Sequence, residues 1–308
     1  CFHKSDELTN DKKDYNLACL KKILPVYCSA CRYHVYYYYG DLIHSSADLL
    51  LFPYLVLTSG YALLLSKDMQ SGIVFEKQDT LKFFHQMYER YLEQVSSFGV
   101  VMNNLPTQLS YFHNIRADME QNYCFQMFPC LTFGIPDYFF DKYIYPEIPG
   151  RDKLIAMLMD YVHSIRKRFT EHPVRFIFSE DGLQRFLETG RIPEYPPAVY
   201  RPFELSDRIV LIRQFLKFCP PNGLCMLKCT IGDLDNELFM YVNPRNGYLM
   251  FPSSEPDQLI CLDITEPGLL HGFCDFCEHL DKDLFYTETE AYSLISSLLD
   301  KTEQKKGS

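Results

Sequence analysis

Apolar and polar positions fall into their clearest pattern between Leu51 and Val95. Leu55, Val56, Leu57 and Thr58 make a β run, and Ser59-Gly60 is a hairpin signal. Tyr61 to Leu65 returns as a second strand, and Gly72 opens a third through Ile73, Val74 and Phe75. Asp79 or Thr80 then caps a helix whose apolar positions are Leu81, Phe84, Met87, Tyr88, Tyr91, Leu92 and Val95. That spacing is a core-facing helical stripe.

The flanks extend the pattern. Asp14 caps a helix with Leu17, Leu20, Ile23 and Leu24, closed by Pro25. His34 to Tyr39 reads as a strand, with Tyr36 and Tyr38 on one face and Val35, Tyr37 and Tyr39 on the other. Downstream, helices are expected from Asn104 or Thr107, over Pro136–Tyr143, over Asp152–Phe169, and over Asp181–Thr189 before Gly190. Tyr123 to Phe133 is a β-compatible run, and Val174 to Phe178 a short strand. From Ser206 or Asp207 a helix carries Ile209, Ile212, Phe215 and Leu216. Strands follow at Leu224–Cys229, Glu237–Val242, Gly247–Phe251 and Gln258–Asp263, then helices from Thr265 and from Thr287.

The two ends share an element order. Gly60-Tyr61 aligns with Gly247-Tyr248 and Ser66 with Ser253, which suggests an internal duplication. The simpler alternative is that hairpins with Gly turns are common. The expected architecture is α/β, with α+β as its neighbour: two related mixed-sheet halves, 15–100 and 206–300, joined by a helical middle segment, 101–205. Residues 1–14 read as a linker and 301–308 as a disordered tail. Because residue 1 is Cys and not Met, the natural N-terminus is expected to lie upstream.

Composition narrows the functional classes. With 47% apolar and 23% charged residues the chain is globular. A net charge of −10 argues against this segment wrapping nucleic acid, which needs a basic face. No apolar run reaches membrane-spanning length. Twelve cysteines scattered through predicted helices and strands suggest a reducing, cytoplasmic setting. Trp is absent against 23 Tyr and 24 Phe, so many buried rings carry a hydroxyl that needs a partner.

Candidate chemistry is sparse. Two Cys-x-x-Cys pairs, Cys28/Cys31 and Cys274/Cys277, together offer four thiolates for a zinc ion. Cys277, however, lies on the apolar stripe of its helix, where a thiol acts as a small core residue. There is no nucleophile elbow, H-E-x-x-H or phosphate loop, and nothing calls for a cofactor. His163 to Arg168 is one basic cluster, at a helix C-terminus where cations are favoured anyway. The most suggestive residues for a ligand pocket are polar groups at strand ends: Tyr37, Tyr39, Asp41, Thr58 and Tyr61, with Tyr241 and Arg245. A Tyr-rich strand filling a Trp-free core is the competing reading.

The run LVLTSGYALLLSKDMQSGIVFEKQDTLKFFHQMYERYLEQ, followed by FSEDGLQRFLETGRIPEYPPAVYRPF and a second hairpin-plus-helix unit, resembles the C-terminal regulatory region of helix-turn-helix transcription regulators from Firmicutes. It is also similar to sensor domains on a phospholipase-D-like two-half scaffold. The resemblance implies a non-catalytic effector-sensing and oligomerisation domain, a possible homodimer, with a small-molecule or peptide effector. It departs in two places: the chain has no helix-turn-helix, so DNA contact would belong to another segment, and the H-x-K pattern of phospholipase D is absent. The alternatives are an enzyme acting on a phosphate or acyl substrate, and a plain protein-interaction module.

Overall fold

The structure is a computed structural model and describes residues 15–27, 33–37, 52–231, 238–252 and 258–307. It divides into two compact units, one of residues 1–19 and 34–98, the other of residues 20–33 and 99–308. The first helix, α1 (Tyr15–Tyr27), spans the boundary in sequence and continues two residues beyond Pro25, where the sequence predicts its end.

In the smaller unit, β1 (Tyr36–Tyr37) pairs with β5 (Ser96–Ser97). The strands β2 (Tyr54–Leu57), β3 (Ala62–Leu65) and β4 (Gly72–Phe75) form a three-stranded antiparallel meander. Strand register puts Leu57, Ala62 and Phe75 in one row and Val56, Leu63 and Val74 in the next. Side chains alternate faces along a strand, so the two rows face opposite ways. The first packs on Leu81, Phe84 and Met87 of α2 (Gln78–Gln94). This is the helical stripe expected from the sequence. The sheet is antiparallel throughout, not mixed as expected.

The larger unit is built on a seven-stranded mixed sheet in the order β6-β12-β11-β10-β7-β8-β9. These strands are β6 (Val101–Met102), β7 (Tyr123–Gln126), β8 (Arg175–Ser179), β9 (Leu224–Leu227), β10 (Phe239–Val242), β11 (Gly247–Pro252) and β12 (Leu259–Ile264). Strands β7, β8 and β9 are parallel, and the other pairings are antiparallel. The β7–β8 crossover carries α4 (Asp137–Tyr143) and α5 (Arg151–Glu171). The β8–β9 crossover carries α6 (Glu180–Thr189) and α7 (Leu205–Phe218). Parallel strands need such crossovers, because a tight turn cannot return the chain in the same direction. The α/β character is therefore plain.

The middle segment is not a connector. Its strands β7 and β8 lie inside the same sheet, between β10, which comes from 239–242, and the edge strand β9, so the boundary expected at 205–206 falls inside one folded body. One core explains the union. Phe133 and Phe176 stack at 4.8 Å, and Phe169 and Phe215 close around them. Farther along the same face, Phe112 of α3 (Leu105–Asn114) lies 4.6 Å from Tyr248 of β11 and 5.6 Å from Tyr161 of α5. The opposite face is covered by α8 (Pro267–Glu278), where Phe276 meets Phe125 at 5.5 Å. The last helix, α9 (Glu288–Gly307), buries Ala291, Ile295 and Leu299. Each fully buried Phe contributes about 1.5–3 kcal/mol through burial alone.

Both units contain an antiparallel meander followed by a helix. In the smaller unit the meander is a sheet by itself, whereas in the larger it is part of seven strands.

Candidate functional site

An open groove of about 540 Å³ runs along the larger unit between the edge strand β6 and helix α3. The local sequence sets its shape. Asn104 caps α3 by accepting from the Thr107 N–H at 3.0 Å, and Pro106 sits in the first turn, where a missing N–H costs nothing. From there Thr107, Ser110, Tyr111 and Asn114 fall on one side at spacings of three and four. Val100, Met102 and Pro106 supply the apolar lining, and Asp263 of β12 the acidic one. The same helix anchors the strand. The buried Gln108 amide donates to the Met102 carbonyl at 3.0 Å and to the Leu259 carbonyl at 2.9 Å.

Asp263 is the chemical centre of the groove. Its Oδ1 accepts the Tyr111 hydroxyl at 2.6 Å. Burial pushes its carboxyl above the ordinary carboxylate value, and the Tyr111 hydrogen bond pulls it partway back. The Tyr111 phenol is pushed up by its own burial and by the Asp263 charge. Among the described residues no Lys, Arg or His lines the groove. Gly99 lets the chain approach here, since a Cβ on it would sit 1.8 Å from the Asp263 carbonyl oxygen.

A second polar cluster lies wholly inside the core, past the carboxyl end of β7. Glu194 accepts the Thr132 hydroxyl at 2.6 Å and the Gln126 amide at 3.2 Å. Burial raises its carboxyl above the ordinary value, against the pull of those donors. Gln126 Oε1 and the Tyr195 hydroxyl are buried here without a hydrogen bond among the described residues. The adjoining cavity, lined by Phe139, Tyr143, Leu158, Tyr195, Tyr200 and Phe203 among others, holds about 30 Å³, on the order of one water molecule. It is too small for a ligand.

The residues singled out from sequence are distributed as follows. Tyr39, Asp41, Cys28 and Cys31 lie outside the described residues. Tyr37 stands on β1 in register with Ser96. Thr58 and Tyr61 form the β2–β3 turn. The Thr58 hydroxyl accepts from the Gly60 and Tyr61 N–H groups and donates to the Tyr61 carbonyl, so it is engaged within its own turn. Tyr241 is a core residue whose hydroxyl donates to Asn122 Oδ1 at 2.9 Å. That oxygen also accepts the Asp118 N–H, and Asp118 pairs with Arg245 at 3.4 Å. Tyr241 and Arg245 thus meet in one network that ties the 116–122 loop to the β10–β11 turn. Cys274 and Cys277 are buried on α8, and burial pushes the Cys274 thiol up to about 12.

The groove residues escaped the sequence reading because β6 is only two residues long. The available signal was the apolar run Phe98-Gly99-Val100-Val101-Met102 directly before a capping Asn104. Comparison with protein-family models, with curated proteins and with solved structures returned no match. Among the described residues no helix is long and apolar enough to cross a membrane.

Proposed function

We propose that this chain is an effector-sensing module that binds a small molecule or short peptide in the β6–α3 groove without transforming it. The observation that carries the reading is the Tyr111–Asp263 pair set in an open groove with an apolar wall on one side and a hydroxyl and amide row on the other. Pockets that recognise small ligands combine apolar lining with a few placed polar groups in this way. Cysteine chemistry is a weaker reading. Burial pushes the Cys219 thiol up to about 12 and Cys225 to about 11, away from the reactive thiolate.

Sensing requires a ligand to favour one state of the protein. The groove is built from an edge strand of two residues and the helix that follows it, joined through Gln108. A ligand bridging Asp263 to α3 would fix the helix against the sheet edge and stabilise that arrangement over looser ones. In a transcription regulator of the kind the sequence resembles, the acidic charge of −10 would leave DNA contact to a segment other than this one.

The test is a thermal-shift screen of a metabolite-sized library against the wild-type chain and Ser110→Trp. Ser110 is exposed on α3, and an indole there fills the groove. Compounds that raise the wild-type Tm are expected to lose their effect in the variant. Equal shifts in both proteins, or no stabilising compound in the library, would overturn the reading.

A further inference from the structure

We infer that the groove selects a cationic amine carrying a short apolar group, with Asp263 as its counter-ion. This rests on the reading of the groove as an effector site and names the ligand class.

Three observations lead to it. The first is charge. Among the described residues Asp263 brings the one formal charge to the lining, which holds no described Lys, Arg or His to neutralise it. Its side-chain partner among the described residues is the Tyr111 hydroxyl, a neutral donor. Burial disfavours the ionised carboxylate, and a cation placed beside it would reverse that effect. An anionic ligand would meet the Asp263 carboxylate in a chain already at −10.

The second is hydrogen-bond capacity. An ammonium group has three N–H donors and no acceptor. Beside Asp263, α3 presents Thr107 and Ser110 hydroxyls and the Asn114 amide. The Asn114 Nδ2 already donates to the Ser110 carbonyl at 2.8 Å, which leaves its Oδ1 as an acceptor. The two hydroxyls can also accept, so the row can receive a donor-only head group, and the acceptor-only groups, Asn114 Oδ1 and the Asp263 carboxylate, are matched by an ammonium and not by a carboxylate or a phosphate.

The third is the wall. Val100 is 57% exposed and stands with Met102 and Pro106 along the groove. An alkyl chain of a few carbons attached to the amine would cover Val100 while the ammonium meets Asp263. Burying each such CH₂ favours binding by a factor of about four.

The experiment uses three isosteric probes on the full chain: n-butylamine, n-butanol and butyrate, followed by saturation-transfer NMR titration. Two variants accompany the wild type. Asp263→Asn removes the counter-ion, and Ser110→Lys, on the exposed side of α3, places a tethered cation opposite it. Butylamine is expected to bind the wild type at least tenfold more tightly than either other probe. Both variants should weaken it tenfold or more, and circular dichroism of Ser110→Lys should match the wild type. Butanol or butyrate binding as tightly as the amine, and losing affinity in Ser110→Lys, would overturn the amine assignment and leave the groove as a site. Amine binding unchanged in both variants, or no binding of any probe, would overturn the assignment, and the library screen with Ser110→Trp then decides the groove independently.

Discussion

The Tyr111 hydroxyl donates to the Asp263 carboxylate at 2.6 Å, joining helix α3 to the end of β12 across 152 positions of sequence. Both groups are half-buried at the groove, and burial displaces both pKa values upward. A short hydrogen bond between them holds the helix against the sheet edge and defines the groove. Removing the hydroxyl in Tyr111→Phe leaves the carboxylate without its donor, at a cost of about 1–3 kcal/mol. Urea unfolding should show that loss as a lower midpoint with an unchanged slope.

Gly99 sets the same corner from the other side. A methyl group there would lie 1.8 Å from the Asp263 carbonyl oxygen, so the backbone must move apart. Gly99→Ala should destabilise the larger unit by roughly 2 kcal/mol or more, within the range for forced overpacking. It should also weaken any groove ligand found in the library screen. A variant that binds and unfolds like the wild type would show that the strand edge has more room than its geometry allows.

Glu194 makes stability depend on pH. Its carboxyl is raised above the ordinary value of 4.5 in the folded chain, so the native state holds the proton more tightly than the unfolded state does. The stabilising contribution is complete below that ordinary value and is lost as pH rises toward the folded one. Cys130, Tyr161, Tyr195 and Tyr200 are the titratable groups that sense its charge, and all four are themselves pushed upward, with burial among the causes for each. Glu194→Gln keeps the shape and removes the proton. Its stability relative to the wild type should therefore improve between pH 4.5 and pH 8, read as the difference in urea midpoints. A constant difference across that range would remove Glu194 as the source.

Phe133 holds the aromatic centre. It is fully buried and touches Phe169, Phe176 and Phe215, which come from three different elements. Phe133→Ala should cost about 3–5 kcal/mol, with near-ultraviolet circular dichroism lost before helical signal. A conservative Phe133→Leu, which keeps most of the volume, should recover much of that loss.

Most of the secondary structure was legible because local chemistry marks it. Asn104 and Gly190 begin and end helices through the caps expected of them, and Gly190 takes the left-handed φ of 64° that closes α6, whose N-cap, Ser179, lies two residues before the expected start at Asp181. The unit boundaries were not legible. Whether β7 pairs with β8 or with β10 depends on distant partners, and nothing in the run Tyr123–Gln126 names them. The site was hidden for a related reason. Polar groups at strand ends carry the sequence signature of a pocket, and Tyr241 has that signature because it serves a buried network with Asn122 and Asn243. Gly182 shows the kind of signal that was present. A glycine in the first turn of α6 is unfavourable for the helix, and it is there because a Cβ would lie 1.9 Å from the Met127 carbonyl.

Met102 reports most directly on the groove, since it lies on the edge strand and lines the site while its own surface is only 4% exposed. With methionine methyl groups labelled by carbon-13, n-butylamine should shift the Met102 resonance in a saturable way. The same titration on Asp263→Asn should leave that resonance in place. A Met102 signal that stays fixed in the wild type while other methionines move would put the ligand elsewhere and contradict the assignment of the β6–α3 groove as the effector site.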